Sequence, residues 1–279
     1  MERKMGLLLL AAAFSAAVFT RMAAASTAVP AIYAFGDSLT DVGNNNFLPG
    51  NQAKANFPPY GIDVPRSRPT GRFSSGYNGV DFVAKKLKFN KSPPAYLSIS
   101  NDAQAYRGVN FASGGSGIFD ATGQNFSISL NQQIKYFKGI TRRLRTRICG
   151  GTADRFLSRS LFFLFTGAND LFTQQQLFIG QLTGQYRNQL ETLYDLGARK
   201  FAVFGSSLIG CIPILRVSVP GGKCVEDLND LAQQFNKATD RFTDIVSACC
   251  GSGRLNAESE CRSNSTYCSN RGKYFFWDR

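Results

Sequence analysis

The stretch Ala31-Ile32-Tyr33-Ala34-Phe35 is continuously apolar and runs directly into Gly36-Asp37-Ser38-Leu39-Thr40-Asp41. Continuous rather than alternating apolarity indicates a strand that is buried on both faces, as in a parallel sheet covered by helices. The same order, a short apolar or β-rich run followed by Gly, Ser, Asn or Asp, recurs at residues 106–111, 161–165 and 201–204. These four runs predict the strands of one sheet.

Segments with a helical spacing of apolar residues lie between and after these strands. They are Val80, Val83 and Leu87; Leu182, Tyr186, Leu190 and Leu193; and Leu228, Leu231, Phe235, Ala238, Phe242 and Ile245. Gly197 is placed to end the second of these helices. Strands that alternate with helices predict a doubly wound α/β sheet, whose ligand site lies beyond the carboxyl ends of the strands. We predict one domain over residues 26–279, with a long ordered loop over residues 49–72.

Histidine is absent from the 279 residues, which include 32 Lys or Arg and 19 Asp or Glu and carry a formal net charge of +13. A zinc site built on histidine and a complete Ser-His-Asp relay are therefore excluded within these residues. A hydrophobic content of 43% excludes a chain that is disordered throughout.

The N-terminus has the layout of a secretory signal peptide. The basic residues Arg3 and Lys4 precede an apolar run over residues 7–20, and a small-residue stretch with Ala25 and Ala28 follows. Arg21 closes the apolar run before it is long enough to span a membrane. We predict a signal peptide over residues 1–25, cleaved after Ala25 or Ala28, and a secreted, extracellular protein without a membrane span.

Seven cysteines fit an exported protein, because disulfides persist in oxidising compartments. They are Cys149, Cys211, Cys224, Cys249, Cys250, Cys261 and Cys268. Their spacings match no zinc motif, so we predict disulfides, with at least one thiol left over because the number is odd. Three Asn-x-Ser/Thr sequons, at Asn90, Asn125 and Asn264, would be open to glycosylation.

A positive excess remains after the predicted leader is removed. A protein this basic is attracted to acidic surfaces, which outside a cell include anionic polysaccharides. The densest basic run is Arg142, Arg143, Arg145 and Arg147. No aromatic residue interrupts the run, which argues against nucleic-acid binding, and we interpret it as a solvated loop.

Three polar clusters follow predicted strands and contain candidate functional residues. Ser38 lies at the tip of the first strand, where a nucleophilic hydroxyl can receive help from backbone N–H groups or can simply cap a helix. A glycine-rich turn with Gly114 and Gly115 follows the second strand but lacks the Lys of a nucleotide-binding loop. Asn169 follows the third strand, where its amide can face an oxyanion or form an ordinary turn.

Together these clusters resemble the GDSL esterase/lipase family of the SGNH hydrolases, specifically its plant branch. The resemblance extends from about Ala31 to the last residue and includes five blocks. They are residues 35–45 (FGDSLTDVGNN), 69–74 (PTGRFS), 108–115 (GVNFASGG), 193–200 (LYDLGARK) and 210–213 (GCIP). The resemblance implies a flavodoxin-like, three-layer α/β/α fold with a mainly parallel sheet.

The resemblance also implies a site. Ser38 is the nucleophile, and its own N–H, the Gly114 N–H and the Asn169 amide form the oxyanion hole, with Gly115 as the alternative to Gly114. Asp278 matches the acidic partner of the family's base histidine, which would fall two positions past Arg279. The implied substrates are acyl esters such as lipids or acetylated polysaccharides, with no cofactor and no metal.

The chain departs from the family in two places. The base histidine is absent, so we expect little or no esterase activity from these residues. Several dozen residues are also missing before Cys249, which predicts a sheet without one edge strand. The end of the sequence at Arg279 predicts a fold without the C-terminal helix. The alternative to an enzyme is a truncated, non-catalytic product or an exported binding module that retains the acyl pocket.

Overall fold

The computed structural model describes residues 29–50, 53–173 and 179–239, together with two strands nearer the C-terminus. The main sheet contains β1 (Ile32–Gly36), β2 (Gly108–Asn110), β3 (Leu161–Phe165) and β4 (Lys200–Phe204). All neighbours are parallel and the order is β2-β1-β3-β4. The four strands predicted from the sequence are therefore confirmed. β5 (Asp244–Ala248) and β6 (Tyr274–Phe276) form a separate two-stranded parallel sheet.

The register brings the strand ends to one edge of the sheet. Ile32 lies opposite both Gly108 and Leu161, and Phe165 lies opposite both Gly36 and Phe204. The segments that follow β1, β2 and β3 therefore leave the sheet side by side.

Eight α-helices connect or follow the strands in the described residues. They are α1 (Gly79–Lys86), α2 (Asp102–Ala105), α3 (Leu130–Arg147), α4 (Gly150–Arg159), α5 (Ala168–Thr173), α6 (Ile179–Asp195), α7 (Pro213–Arg216) and α8 (Glu226–Thr239). Short 3₁₀ turns occur at Asn44–Phe47, Tyr96–Ser98, Ile209–Cys211 and Pro220–Gly222. Gly197 ends α6 as predicted: it has a φ of 112°, and its N–H donates to the Tyr194 carbonyl at 2.9 Å.

Helices cover both faces of the sheet, which gives three layers. Along β1, Tyr33 and Phe35 face a large core with residues of α3, α6 and α8, whereas Ile32 and Ala34 face a smaller core. The smaller core includes Val80 of α1. Because side chains alternate along a strand, a continuously apolar β1 supplies both cores. The predicted three-layer α/β/α fold is confirmed.

Phe137 of α3 is the centre of the larger core. Its ring lies 5.0 Å from the Tyr33 ring, 5.8 Å from Phe35, 6.1 Å from Phe111 and 5.3 Å from Phe162, measured between centroids. Phe137 thereby holds α3 against three strands or their ends at once.

The basic run from Arg142 to Arg147 is helical, so its interpretation as a loop is wrong. It forms the last part of α3, whose buried residues recur at helical spacing. Two of the arginines are paired: Arg143 Nε lies 2.9 Å from Asp102, and Arg145 Nη2 lies 2.8 Å from Asp154. The interpretation as a loop rested on the charged residues, whereas the buried residues at helical spacing determine the structure.

The third predicted helix is shorter than its pattern. α8 ends at Thr239, and Ile245 lies in β5 rather than in the helix. β-branched Ile245 and Val246 favour an extended backbone, which explains why the helical spacing did not decide the structure there. Phe242 lies outside the described residues.

Disulfide formation is confirmed for one pair of cysteines. Cys211 and Cys224 are bonded and join the 3₁₀ turn Ile209–Cys211 to the segment before α8. Cys149 is an exposed free thiol. The predicted signal peptide lies outside the described residues, as do the side chains of the other four cysteines. Among the helices that the structure describes, none is long and apolar enough to cross a membrane.

Replacement of Phe137 by Ala should lower the free energy of unfolding by about 3–5 kcal/mol, because it leaves a cavity among four aromatic rings. The matched control is Phe57→Ala at a ring that is 51% exposed. Phe57→Ala should lower the free energy of unfolding by less than about 1 kcal/mol. Urea unfolding followed by circular dichroism measures both, and equal losses in the two variants would contradict the central position given to Phe137.

Candidate active site

Ser38 follows β1 at the edge where the parallel strands end. Gly36 and Asp37 connect it to the strand, and Gly36 has a φ of 143°. A Cβ at Gly36 would collide with the carbonyl oxygen of Phe165, so only glycine fits there. The Ser38 side chain is half-buried, and residues 38–40 form a turn rather than a helix. Ser38 therefore does not cap a helix.

Gly36 is tied to the loop after β2 and to α3. Its carbonyl oxygen accepts hydrogen bonds from Ser113 N at 3.0 Å, Ser116 Oγ at 2.8 Å and Gln133 Nε2 at 2.9 Å. Its N–H donates to Gln133 Oε1 at 2.9 Å. Gln133 is fully buried on the apolar face of α3. A polar residue among the apolar positions of a helix is the sequence feature that could have indicated this buried hydrogen bond.

Asp41 joins the loop after β1 to the loop after β2. Its carboxylate accepts hydrogen bonds from Gly43 N at 2.7 Å, Asn44 N at 2.8 Å and Gly114 N at 3.1 Å. Asp41 is fully buried, and burial raises the pKa of its carboxyl to about 6 even though these N–H groups favour the charged form. Asp41 lies within the block of residues 35–45, and the sequence pattern by itself assigns it no role.

Asp170 holds the loop after β2 against α5. Its carboxylate accepts hydrogen bonds from Ile118 N at 2.8 Å, Phe119 N at 3.0 Å and Thr122 Oγ1 at 2.7 Å. Asn169, the preceding residue, is thereby placed beside the same loop, and its Nδ2 donates to the Ser116 carbonyl at 2.9 Å.

Unpaired hydrogen-bond donors remain at this edge. Within the described part of the chain, the backbone N–H groups of Ser38 and Gly115 make no hydrogen bond. Asn169 has a second amide hydrogen that the bond to Ser116 does not use. The Gly114 N–H, by contrast, is taken by Asp41. An edge that presents free N–H groups beside a hydroxyl can stabilise negative charge on a substrate oxygen.

Asp37 is a second carboxyl without a cation. It is buried, and its Oδ1 accepts a hydrogen bond from Leu39 N at 3.0 Å. Burial, with a smaller contribution from the charge of Asp170, raises the pKa of Asp37 to about 7. In the described residues no Lys or Arg pairs with Asp37, Asp41 or Asp170.

The structure brings most of the predicted site residues to one edge. Ser38, Gly114, Gly115 and Asn169 all follow neighbouring strands and are connected by the hydrogen bonds of Gly36, Asp41 and Ser116. Asp278 lies outside the described residues. Within the ranges that are described, no group of His, Cys, Asp or Glu could hold a metal ion.

Comparison with known proteins identifies a family and several relatives. Residues 32–279 match the model of the GDSL-like Lipase/Acylhydrolase family. The GDSL esterase/lipase At5g55050 of Arabidopsis thaliana is 34% identical over 307 aligned positions, which cover 90% of this chain and 81% of the relative. The Arabidopsis thaliana relatives At5g37690 and At1g71691, also named GDSL esterase/lipase, are 34% identical over 323 positions and 36% identical over 300. They cover 98% and 90% of this chain, and 90% and 77% of their own lengths.

These alignments also confirm that residues of the family are missing here. Aligned lengths of 307 and 323 exceed the 279 residues of this chain, so each of those two relatives contains residues without a counterpart. The match over residues 32–279 and the relatives show that the chain belongs to the GDSL lipase/acylhydrolase family.

Proposed function

We propose that this chain is a secreted serine ester hydrolase in which Ser38 attacks the carbonyl carbon of an acyl ester. The observation that carries the proposal is the set of unpaired donors beside Ser38: its own N–H, the Gly115 N–H and the second amide hydrogen of Asn169. A tetrahedral intermediate needs such donors at its oxyanion, and each one is typically worth about 3 kcal/mol.

The reaction proceeds in two stages. Ser38 Oγ bonds to the carbonyl carbon and passes its proton to a base from solution, such as water or added imidazole, and the carbonyl oxygen becomes an oxyanion that accepts the donated hydrogen bonds. The C–O bond to the alcohol then breaks, the alcohol leaves with a proton, and acyl-Ser38 remains. Water next attacks the acyl carbon, which releases the carboxylic acid and restores the serine hydroxyl.

The middle donor is one of two neighbouring glycines. The family resemblance assigns it to Gly114, whose N–H must exchange its 3.1 Å hydrogen bond with Asp41 for one with the substrate. The Gly115 N–H is unpaired, and Gly115 is half-buried rather than buried. It can therefore donate to a substrate oxygen without breaking an existing hydrogen bond. These two facts favour Gly115.

Proton transfer limits turnover by these 279 residues. They contain no histidine, and Asp278, the proposed acidic partner, has no imidazole to orient. Loss of the base from a catalytic triad lowers turnover by about 10⁴- to 10⁶-fold, while the oxyanion hole and binding retain roughly 10³- to 10⁴-fold over water. Within residues 1–279 the donors beside Ser38 can bind an acyl ester without a base, so the second candidate function is a binding module that holds the ester at this edge without cleaving it.

The substrate class and the location are inferred from the relatives and from the N-terminal sequence. Relatives named esterase/lipase support an ester or lipid substrate, and acetylated polysaccharide has the same reacting bond. The N-terminal pattern of basic, apolar and small residues supports secretion. Asn125 is exposed, which is consistent with glycosylation at its sequon.

Imidazole in solution should restore part of the missing base function. We expect imidazole to accelerate the release of p-nitrophenol from p-nitrophenyl butyrate more with the wild-type chain than with Ser38→Ala. Asn169→Ala should lose most of this gain, because removal of one oxyanion donor costs about 100- to 1000-fold in turnover.

Ser75→Ala is the matched control, because Ser75 is an exposed serine away from the strand edge. It should retain the wild-type response to imidazole. An equal rate with wild type and Ser38→Ala at every imidazole concentration would contradict the assignment of Ser38.

The buried carboxyls should make stability depend on pH. Burial raises the pKa of Asp37 from 3.8 to about 7, so between these values the native chain holds a proton that the unfolded chain has released. The free energy of unfolding therefore falls as pH rises through this window, by about 1.4 kcal/mol per unit of pKa difference. Asp37→Asn removes this cost and keeps an oxygen that can accept the Leu39 N–H bond.

Urea unfolding of the wild type and Asp37→Asn at about pH 4 and about pH 8 tests this linkage. The variant should be more stable than the wild type at the higher pH and nearly equal to it at the lower. Asp63→Asn, at an exposed carboxylate, should show no such difference between the two pH values. Destabilisation by Asp37→Asn at the higher pH would show instead that the charged carboxylate stabilises the fold.

A further inference from the structure

A cavity of about 770 Å³ lies beside α1 and is lined in part by Val42 and Gly43 of the loop after β1. It is enclosed by the loop after β1, by α1 and by the segment between α1 and β2. Neither Ser38, Gly114 nor Asn169 lines it. Its size is within the range of sites for small molecules and short oligomers, roughly 300–1,000 Å³.

A buried ion pair forms part of the cavity wall. Arg72 and Asp81 make two hydrogen bonds of 2.7 Å, from Nε to Oδ2 and from Nη2 to Oδ1, and their side chains are 12% and 5% exposed. Asp81 also accepts hydrogen bonds from Asn78 N and Ser92 Oγ. Arg72 Nη1 donates to Thr70 Oγ1 at 3.1 Å. Two of the five guanidinium hydrogens are left over, because the bonds to Asp81 and Thr70 use three.

Aromatic rings line the same cavity and remain open to solvent. Phe47 is 53% exposed, Tyr77 is 47% exposed and Phe82 is 59% exposed. Three such rings around one cavity are costly to leave in water, and exposed apolar groups rimmed by polar residues mark binding surfaces. The flat faces of aromatic rings suit the C–H faces of sugar rings, whose hydroxyls need polar partners at the same time.

Polar and cationic groups supply those partners. Asn46, Thr70, Asn90, Ser92 and Ser98 line the cavity together with Lys85 and Lys91. Both lysines are exposed, and neither pairs with a carboxylate in the described residues. Asp81 is the only acidic residue among the lining residues and is already satisfied by Arg72. The cavity therefore carries a positive excess.

We propose that this cavity binds an acidic carbohydrate, with a uronate carboxylate placed between Lys85, Lys91 and the spare hydrogens of Arg72. The sugar rings lie against Phe82 and its aromatic neighbours, and the amides and hydroxyls pair with the sugar hydroxyls. Such a site would concentrate a basic, exported protein on anionic polysaccharide at a defined face rather than over its whole surface.

The lining favours a carbohydrate over an alkyl chain. Amides, hydroxyls and charged groups alternate with the rings around the cavity, whereas an alkyl chain needs a continuous apolar lining. Neutral sugars would leave the lysines and the spare Arg72 hydrogens without an anionic partner.

Isothermal titration with an oligogalacturonide at about 0.15 M salt tests the proposal, because general surface attraction is screened there. The double variant Lys85→Gln/Lys91→Gln should weaken binding by about 3- to 30-fold. Phe82→Ala should weaken it by about 3- to 10-fold through loss of the ring contact. Binding is measured without turnover, so the result does not depend on the role proposed for Ser38.

The matched controls make the same types of substitution at residues that do not line the cavity. Lys135→Gln/Lys138→Gln removes two exposed lysines of α3, and Phe57→Ala removes an exposed ring that does not line the cavity. Both controls should bind within about twofold of the wild type, since exposed charges and rings away from a ligand contribute little.

Three results would overturn the proposal. The first is an equal loss of affinity in the two double-lysine variants, which would show that binding depends on net charge rather than on the cavity. The second is equal affinity for a neutral oligosaccharide of the same length, and the third is stronger binding of monomeric laurate than of the oligogalacturonide.

Discussion

The Asp41 carboxylate ties the loop that carries Ser38 to the loop that carries the two candidate glycines. It is fully buried without a cation, and it is stabilised by backbone N–H groups of Gly43, Asn44 and Gly114. A charge in that position is costly, as the raised pKa of Asp41 shows, so the loops must stay in place to supply their hydrogen bonds. The geometry of the strand edge depends on this arrangement, because it fixes which N–H groups are used and which remain free.

The hydrogen bonds that position the donors beside Ser38 lie in one part of the chain. The hydrogen bonds of Gly36, Asp41 and Asp170 come from β1, α3 and the loops after β1, β2 and β3, all within residues 29–173. The cavity at Arg72 and Asp81 is likewise built from residues 42–98. The two proposed sites therefore occupy one part of the chain and share Gly43, which lines the cavity and donates to Asp41.

The sequence predicted the features that depend on local patterns. Continuous apolarity marked all four strands of the main sheet, and helical spacing marked α1, α6 and most of α8. It missed α3 because four arginines obscured the apolar spacing, and it extended α8 to Ile245, where β-branching favours a strand. The partners of Asp41 and Gln133 could not be predicted, since these contacts join residues 73 and 97 positions apart. Long-range pairing of buried polar groups is decided by the packed fold, and no local period encodes it.

The central claim is that Ser38 carries the acyl group, and mass spectrometry tests it most directly. The wild-type chain is incubated with p-nitrophenyl butyrate and imidazole, quenched in acid to preserve the ester, digested and compared with Ser38→Ala. The account predicts a butyryl group on the peptide that contains Ser38 and none in the variant. A wild-type chain that stays unmodified at Ser38, or that is acylated equally at other residues, would contradict it.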